Sequence, residues 1–551
     1  MMTVDLSLWR WALLLMVGGS VLIGGRGACA QPAPGPAARP QPGIDVQDYD
    51  FALTLSDTTD RIEGTATVHV RIDADTLTAV RLDLIGRAPG GETGMRVQSV
   101  SEAGRAVSYR HADDLLRIRP PDLAAGQTRT FRIEYAGVPD DGLIIGTNQH
   151  GDRTFFGDNW PNRARHWLPV VDHLSDKATV EFRVTAPARY EVVSNGALVH
   201  DSTSGGTRHT LWRTDVPLPP KVMVIGVADF AVDTAGTVDG VPVQSWVYPE
   251  DRGPGLKDLG QAPPILRFFE ENLGPYPYAK LANVQSTTRY GGMENAAAIF
   301  YSETAVADGE DDTSLLAHEI AHQWYGNTVT EADWPHLWLS EGFATYLTGL
   351  YLEHARGAAA LRQYMTAARR QVVQFHDANP DTPLVDTTYS DPNELLNTNP
   401  YQKGGWVLHM LRREVGTDTF WRGLRAYYER YRDGNASTRD FRAVMEDVSG
   451  QGLEAFFDQW TRRPGHPVIE GTWRHDAAAG ECVVTLRQTQ DEPPFEVPVQ
   501  VALGESPSRT TTLFMRGREA QSRVDCPRAP SSVTLDPNTD LLAELSMRRA
   551  Q

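Results

Sequence analysis

Cysteine is scarce, with three in 551 residues. That excludes a small disulfide scaffold. Neither Cys482 nor Cys526 pairs with a histidine at zinc-finger spacing, so the cysteines offer no metal site. Positive charge is also short: 52 Lys and Arg face 71 Asp and Glu, a net charge of -19. That argues against nucleic acid and anionic membrane surfaces as partners, because the phosphate contribution to binding would be repulsive. Beyond the first thirty residues no apolar run is long enough to span a membrane, and no internal repeat occurs. What is present is an ordinary globular composition, 41% hydrophobic and 22% charged, in a chain long enough for about three or four domains.

The first segment is an address. Arg10 precedes an apolar run over residues 11–23, too short for a comfortable span, and Ala28-Cys29-Ala30 fits small-x-small cleavage before Gln31. Residues 1–30 are expected to be a signal peptide, giving an exported (periplasmic or extracellular) protein with no stable membrane span after cleavage. A lipid- or signal-anchored form is the alternative. Residues 31–43 (QPAPGPAARPQPG) form a Pro/Ala-rich linker. In an exported chain, the two late cysteines suggest one Cys482–Cys526 disulfide, the alternative being two buried thiols.

Residues 44–248 read as strand after strand, for example GTATVHVRI and TVEFRVTA, which predicts an N-terminal all-β domain. Residues 249–466 are largely helical after one short strand stretch, LANVQSTT. Helical periodicity is strongest in GGWVLHMLRREVG and TRDFRAVMEDVSG. Residues 467–551 return to strands and predict a small C-terminal β-sandwich. The fold class is multidomain α+β.

The chemistry gathers between His318 and Glu341. His318 and His322, four apart, project from one face of a helix, the geometry that brings two imidazoles to one zinc ion. Glu319 sits where a carboxylate reaches water at the metal without being a ligand. Glu341 is the candidate third ligand, placed in the first turn of a second helix with Ser340 as its N-cap. Two histidines and a glutamate leave one position open, as a catalytic zinc requires. Upstream, Gly291, Gly292, Met293, Glu294 and Asn295 suit a sheet edge where a peptide backbone approaches and a cation is held. Downstream, Tyr401 opens a helix in Y-Q-K-G-G and could donate to an oxyanion.

Taken together these stretches resemble the gluzincin zinc metallopeptidases of the aminopeptidase N and leukotriene-hydrolase family, in a short form lacking the C-terminal helical domain. The matching pieces keep family order: N-R-A-R-H-W-L-P-V-V-D, L-G-P-Y-P-Y-A-K, G-G-M-E-N, H-E-I-A-H with W-L-S-E-G-F-A, Y-Q-K-G-G, and the tail L-D-P-N-T-D-L-L. The resemblance implies a saddle-like β-domain, a thermolysin-like α/β catalytic domain and a small β-sandwich. It implies one catalytic zinc held by His318, His322 and Glu341, with Glu319 as general base and Tyr401 stabilising the oxyanion. Glu294 would bind the free α-ammonium of a peptide. A more open cleft, or closure by a second subunit in a homo-oligomer, would follow. The family's second amine anchor falls here on Trp160, with Asp158 two residues upstream. The other readings are an epoxide hydrolase on the same scaffold and a catalytically inactive peptide-binding protein.

Overall fold

Strict alternation builds the first part of the fold. In the strand Ile62–Ile72, Ile62, Gly64, Ala66, Val68, Val70 and Ile72 are buried, while Glu63 and Arg71 face water. Period-2 burial of this kind needs one covered face and one wet face. The strand sits inside an eight-stranded sheet, between Ile44–Thr54 and Thr128–Val138. All its pairings are antiparallel except that of Ile44–Thr54 with Ala178–Pro187. The structure, a computed structural model, describes residues 41–504 and 510–550. The expected signal peptide and most of the linker lie outside the described residues.

The α+β class is as expected: a β-rich N-terminal part, a helix-bearing middle part and C-terminal sheets. The chain divides into two compact units. The first runs to Trp334 and includes 390–394 and 427–437; the second takes the remainder.

In the first unit the site rests on a five-stranded mixed sheet. Its order is Ala231–Val238, Val241–Val247, Leu281–Ser286, Ala298–Ser302 and, at the edge, Gly292–Met293. Leu281–Ser286 is buried at every position and pairs in parallel on both sides. A strand covered on both faces cannot alternate. Helices α1 (Arg252–Leu259), α2 (Ala262–Leu273) and α3 (Thr313–Ala321) belong to this unit, and α2 packs on both Ala231–Val238 and α3. The buried side of α2 is Ala262, Ile265, Leu266, Phe268, Phe269 and Leu273, spaced by three and four.

The second unit holds α4 (Trp338–Arg356), α5 (Ala358–Ala378) and α6 (Gly404–Val415), with two C-terminal sheets of four and three strands. Helices α4 and α6 meet backbone to backbone. A Cβ on Gly342 would stand 2.9 Å from Gly404 Cα, so glycine at both positions permits the contact. The tail after Val533–Leu535 docks on these helices. Arg369 donates to Asp536 Oδ2 at 3.2 Å, and His409 Nε2 to the Thr539 carbonyl at 2.9 Å.

Two expectations are corrected here. Ser340 is not the N-cap of α4. The helix starts at Trp338, because Ser340 and Glu341 N–H both bond to the Leu337 carbonyl, so Ser340 lies within the first turn. Cys482 and Cys526 are free, buried thiols, not a disulfide. The Cys526 thiol donates to the Arg528 carbonyl at 3.1 Å. Burial and the neighbouring Cys526 push the Cys482 thiol up to about 12, which keeps it protonated and unreactive.

Candidate metal centre

Helix α3 is buried along nearly its whole length, so its polar side chains must find partners inside the protein. His318 lies in its last turn, and His322 continues the helical backbone one residue beyond it. Their Nε2 atoms face each other at 3.1 Å, the rings crossing at 84°. His322 Nδ1 is 3.2 Å from the Tyr325 carbonyl, to which it donates. That bond fixes the tautomer and leaves Nε2 as a lone pair. A tetrahedral zinc with Zn–N bonds of 2.0–2.1 Å holds two nitrogens about 3.3 Å apart, so the pair fits zinc without rearrangement.

Glu319 is buried next to the edge strand. A Cβ added to Gly292 would lie 2.6 Å from Glu319 Cδ, so glycine is what lets this edge reach the helix. Glu294, Glu319 and His322 each place one donor atom within 4.8 Å of the other two. Glu294 is 5% exposed, and its Oε1 has no hydrogen-bond partner among the described residues. The nearest cation is Lys221 Nζ, 3.9 Å away, which is hydrogen-bonded at 2.7 Å to buried Glu331. Burial raises the Glu331 pKa, and Lys221 opposes that rise.

The turn carrying Glu294 is pinned by residues just after the histidine pair. Gln323 donates from Nε2 to the Glu294 carbonyl at 3.0 Å and accepts from Ala297 N–H at 3.0 Å. Asn327 donates to the same carbonyl at 2.6 Å. Ala297 is held at φ +63, an unusual conformation for a residue with a Cβ. Sequence reading missed Lys221, Gln323, Asn327 and Glu331. Gln323 and Asn327 stand in H-Q-W-Y-G-N beside the motif and were open to notice; Lys221 begins the strand-like KVMVIGV, where nothing marks it.

Asp158 and Trp160, the two positions considered for a second amine anchor, both have partners within the protein. Asp158 is fully buried and pairs with Arg163 at 2.8 Å, while the Arg289 N–H reaches its other oxygen at 3.4 Å. Burial lifts its pKa, and the two arginines hold it back. Trp160 packs edge-on against Tyr290 and Trp334. Asp158 is thus committed to arginines and Trp160 to an aromatic cluster.

Glu341 and Tyr401 belong to the second unit. Glu341 is buried in the first turn of α4. Tyr401, half-buried, lies in a wide helical turn over Asn399–Lys403 that leads into α6. The Gly342–Gly404 contact sets that turn beside the start of α4.

A histidine pair with a glutamate between, on a buried helix against a mixed sheet, is the arrangement of a zinc metallopeptidase. The Peptidase M1 N-terminal domain matches residues 46–220 and the Peptidase family M1 domain residues 258–460, and the chain belongs to peptidase family M1. It is 26% identical over 402 residues to human glutamyl aminopeptidase, covering 70% of this chain and 42% of that protein. It is 29% identical over 326 residues to aminopeptidase M1-A of Oryza sativa subsp. japonica, covering 56% and 37%. The chain therefore spans less than half the length of these two relatives. The M1 zinc metallopeptidase of Deinococcus radiodurans superposes with a TM-score of 0.66 at 26% identity, over 77% of this chain and 95% of that one. A variant of that peptidase is solved with a Tyr-Ser-Ala substrate.

Proposed function

We propose that this protein is an exported zinc aminopeptidase that removes the N-terminal residue from peptides with a free α-amine. The observation that carries the reading is Glu294, a buried carboxylate beside Glu319 and His322 with one oxygen that accepts no hydrogen bond among the described residues. An endopeptidase has no use for such a group. A substrate ammonium would satisfy it with a charge-assisted hydrogen bond.

His318, His322 and Glu341, two imidazoles and one carboxylate, would hold the zinc ion. When bound, zinc supplies Lewis acidity and brings the pKa of a coordinated water to about 7. Glu319 takes the proton of the attacking water and delivers it to the leaving amine. The Tyr401 hydroxyl donates to the developing oxyanion. Glu294 holds the α-ammonium, and Gly291, Gly292, Met293 and Asn295 provide the strand edge along which the substrate backbone lies. Lys221 is hydrogen-bonded to Glu331 and stands farther, at 3.9 Å, from Glu294, the acid that meets the substrate in this reading. The aminopeptidase relatives and the peptide-bound Deinococcus peptidase support the substrate class. Export rests on the signal-like residues 1–30, with the mature chain starting at Gln31.

The test is kcat/KM for one peptide with and without an N-acetyl cap, in wild type and Glu294→Ala. Free-amine peptide is expected to be strongly preferred. The variant should lose about tenfold or more of that preference, as expected for losing a contact of about 1.5–3 kcal/mol. Equal cleavage of both peptides by the wild type overturns the aminopeptidase reading.

A further inference from the structure

The opposite end of α3 carries a second group of donors that peptide hydrolysis does not use. Asp258 of α1, Asp308 in the preceding loop and Asp312 at the N-cap of α3 each bring one carboxylate oxygen to within 4.8 Å of the other two. Asp258 and Asp312 are 1% and 0% exposed.

An acidic cluster alone would be solvated side chains. Asp312 is different: both its oxygens are buried and have no hydrogen-bond partner among the described residues. An N-cap aspartate ordinarily accepts a backbone N–H of the first turn, yet this one makes no side-chain cap bond. That work falls to Asp311, whose Oδ1 accepts from Thr313 N–H at 3.1 Å and from the Thr313 hydroxyl at 2.5 Å. The carboxylate of Asp312 is thereby released toward Asp258 and Asp308. Asp258 spends one oxygen on Ala307 N–H at 3.1 Å, and Asp308 spends Oδ1 on Glu310 N–H at 2.8 Å. Three carboxylates drawn together without donors between them repel one another, and a buried one without a partner costs several kcal/mol. A cation removes both costs.

We propose that Asp258, Asp308 and Asp312 form a calcium site that ties the amino end of α3 to α1. All three donors are hard oxygens with no nitrogen or sulfur, which selects calcium over zinc. Asp308 is exposed and Asp258 and Asp312 are not, so the ion enters from the Asp308 side and completes its shell with water and loop carbonyls. Its role is to brace the helix that bears His318 and His322.

The experiment uses the mature full chain with zinc at saturation, so that calcium has no access to the histidine pair. Terbium luminescence sensitised by protein aromatics, with calcium as competitor, reads binding; the melting temperature reads stability. Wild type should bind terbium saturably, release it to calcium, and gain several degrees in Tm with calcium. Asp308→Asn, on an exposed side chain that does not threaten folding, should weaken calcium by at least tenfold. Asp312→Asn should melt higher than calcium-free wild type and no longer respond to calcium. A wild type whose Tm ignores millimolar calcium overturns the proposal. So does a calcium response that survives unchanged in both variants, because the ion then sits elsewhere.

Discussion

Helix α3 ends in two different chemistries. At its carboxyl end two imidazole nitrogens face each other at 3.1 Å, one ring oriented by the Tyr325 carbonyl. At its amino end carboxylates converge, and one of them has no hydrogen-bond donor among the described residues. Both ends concentrate lone pairs on buried side chains, His318 and His322 at one and Asp258 and Asp312 at the other, a costly arrangement unless something binds there. They differ in donor type, and donor type decides which ion each end suits: nitrogen for zinc, oxygen for calcium. They differ also in origin. The histidine pair is local, written in five consecutive residues, whereas the carboxylates join Asp308 and Asp312 to Asp258, which lies far from them along the chain.

Four expected outcomes press on this contrast. The largest concerns Glu319, which shares the carboxyl end with the histidines but is read as a base. Glu319→Gln should keep its zinc and lose up to about 10⁴-fold in kcat. Metal analysis beside turnover decides it, and loss of zinc in the variant would make Glu319 a ligand instead.

Next is the buried cation near that end. Lys221→Met leaves Glu331 charged and unpaired in the interior and should cost about 3–5 kcal/mol of stability. Urea unfolding measures this; a variant as stable as wild type would mean that Glu331 is already protonated in the native protein.

Tyr401→Phe should lower kcat by about 10²–10³, as removal of one oxyanion donor does, with KM little changed. Steady-state kinetics on the free-amine peptide separates the two parameters. A change confined to KM would make Tyr401 a ground-state contact.

The smallest effect comes from a histidine that is not a ligand. His409 in α6 has both nitrogens satisfied by protein, Nε2 donating to Thr539 and Nδ1 accepting from the Tyr346 hydroxyl at 3.0 Å. Burial, aided by Arg413 and Arg412, lowers its pKa to about 3. The folded value lies below the unfolded value of about 6.5, so the unfolded chain takes the proton first. Stability is full above about pH 6.5 and falls as pH drops toward 3, by up to about 2 kcal/mol between 6.5 and 5. Unfolding of wild type and His409→Gln at both pH values checks this. An equal fall in the variant would assign the loss to other groups, such as acid release of zinc.

Much of the site was legible because its parts are short and local. H-E-x-x-H followed by a glutamate in W-L-S-E specifies donors at helical spacing, and G-G-M-E-N announces a tight edge. Strand alternation in Ile62–Ile72 likewise follows from period-2 burial of one sheet face. The errors were of local detail. Ser340 looked like a cap because serine favours caps, but the turn at Leu337 started the helix earlier. The cysteines looked like a pair because two remain after the expected signal peptide, yet the Cys526 thiol bonds a carbonyl.

By itself, then, the sequence determined the α+β class, the histidine pair with Glu319 between, and the edge segment bearing Glu294, since each depends on contacts within a few residues along the chain. Tertiary structure alone decided the rest. It put Lys221 between Glu331 and Glu294, gave Asp158 to Arg163 and Trp160 to an aromatic cluster, and gathered Asp258, Asp308 and Asp312 at one point. Electrostatic pairing acts over distances in space, and residues 110 positions apart, such as Lys221 and Glu331, carry no spacing rule that links them before the chain has folded.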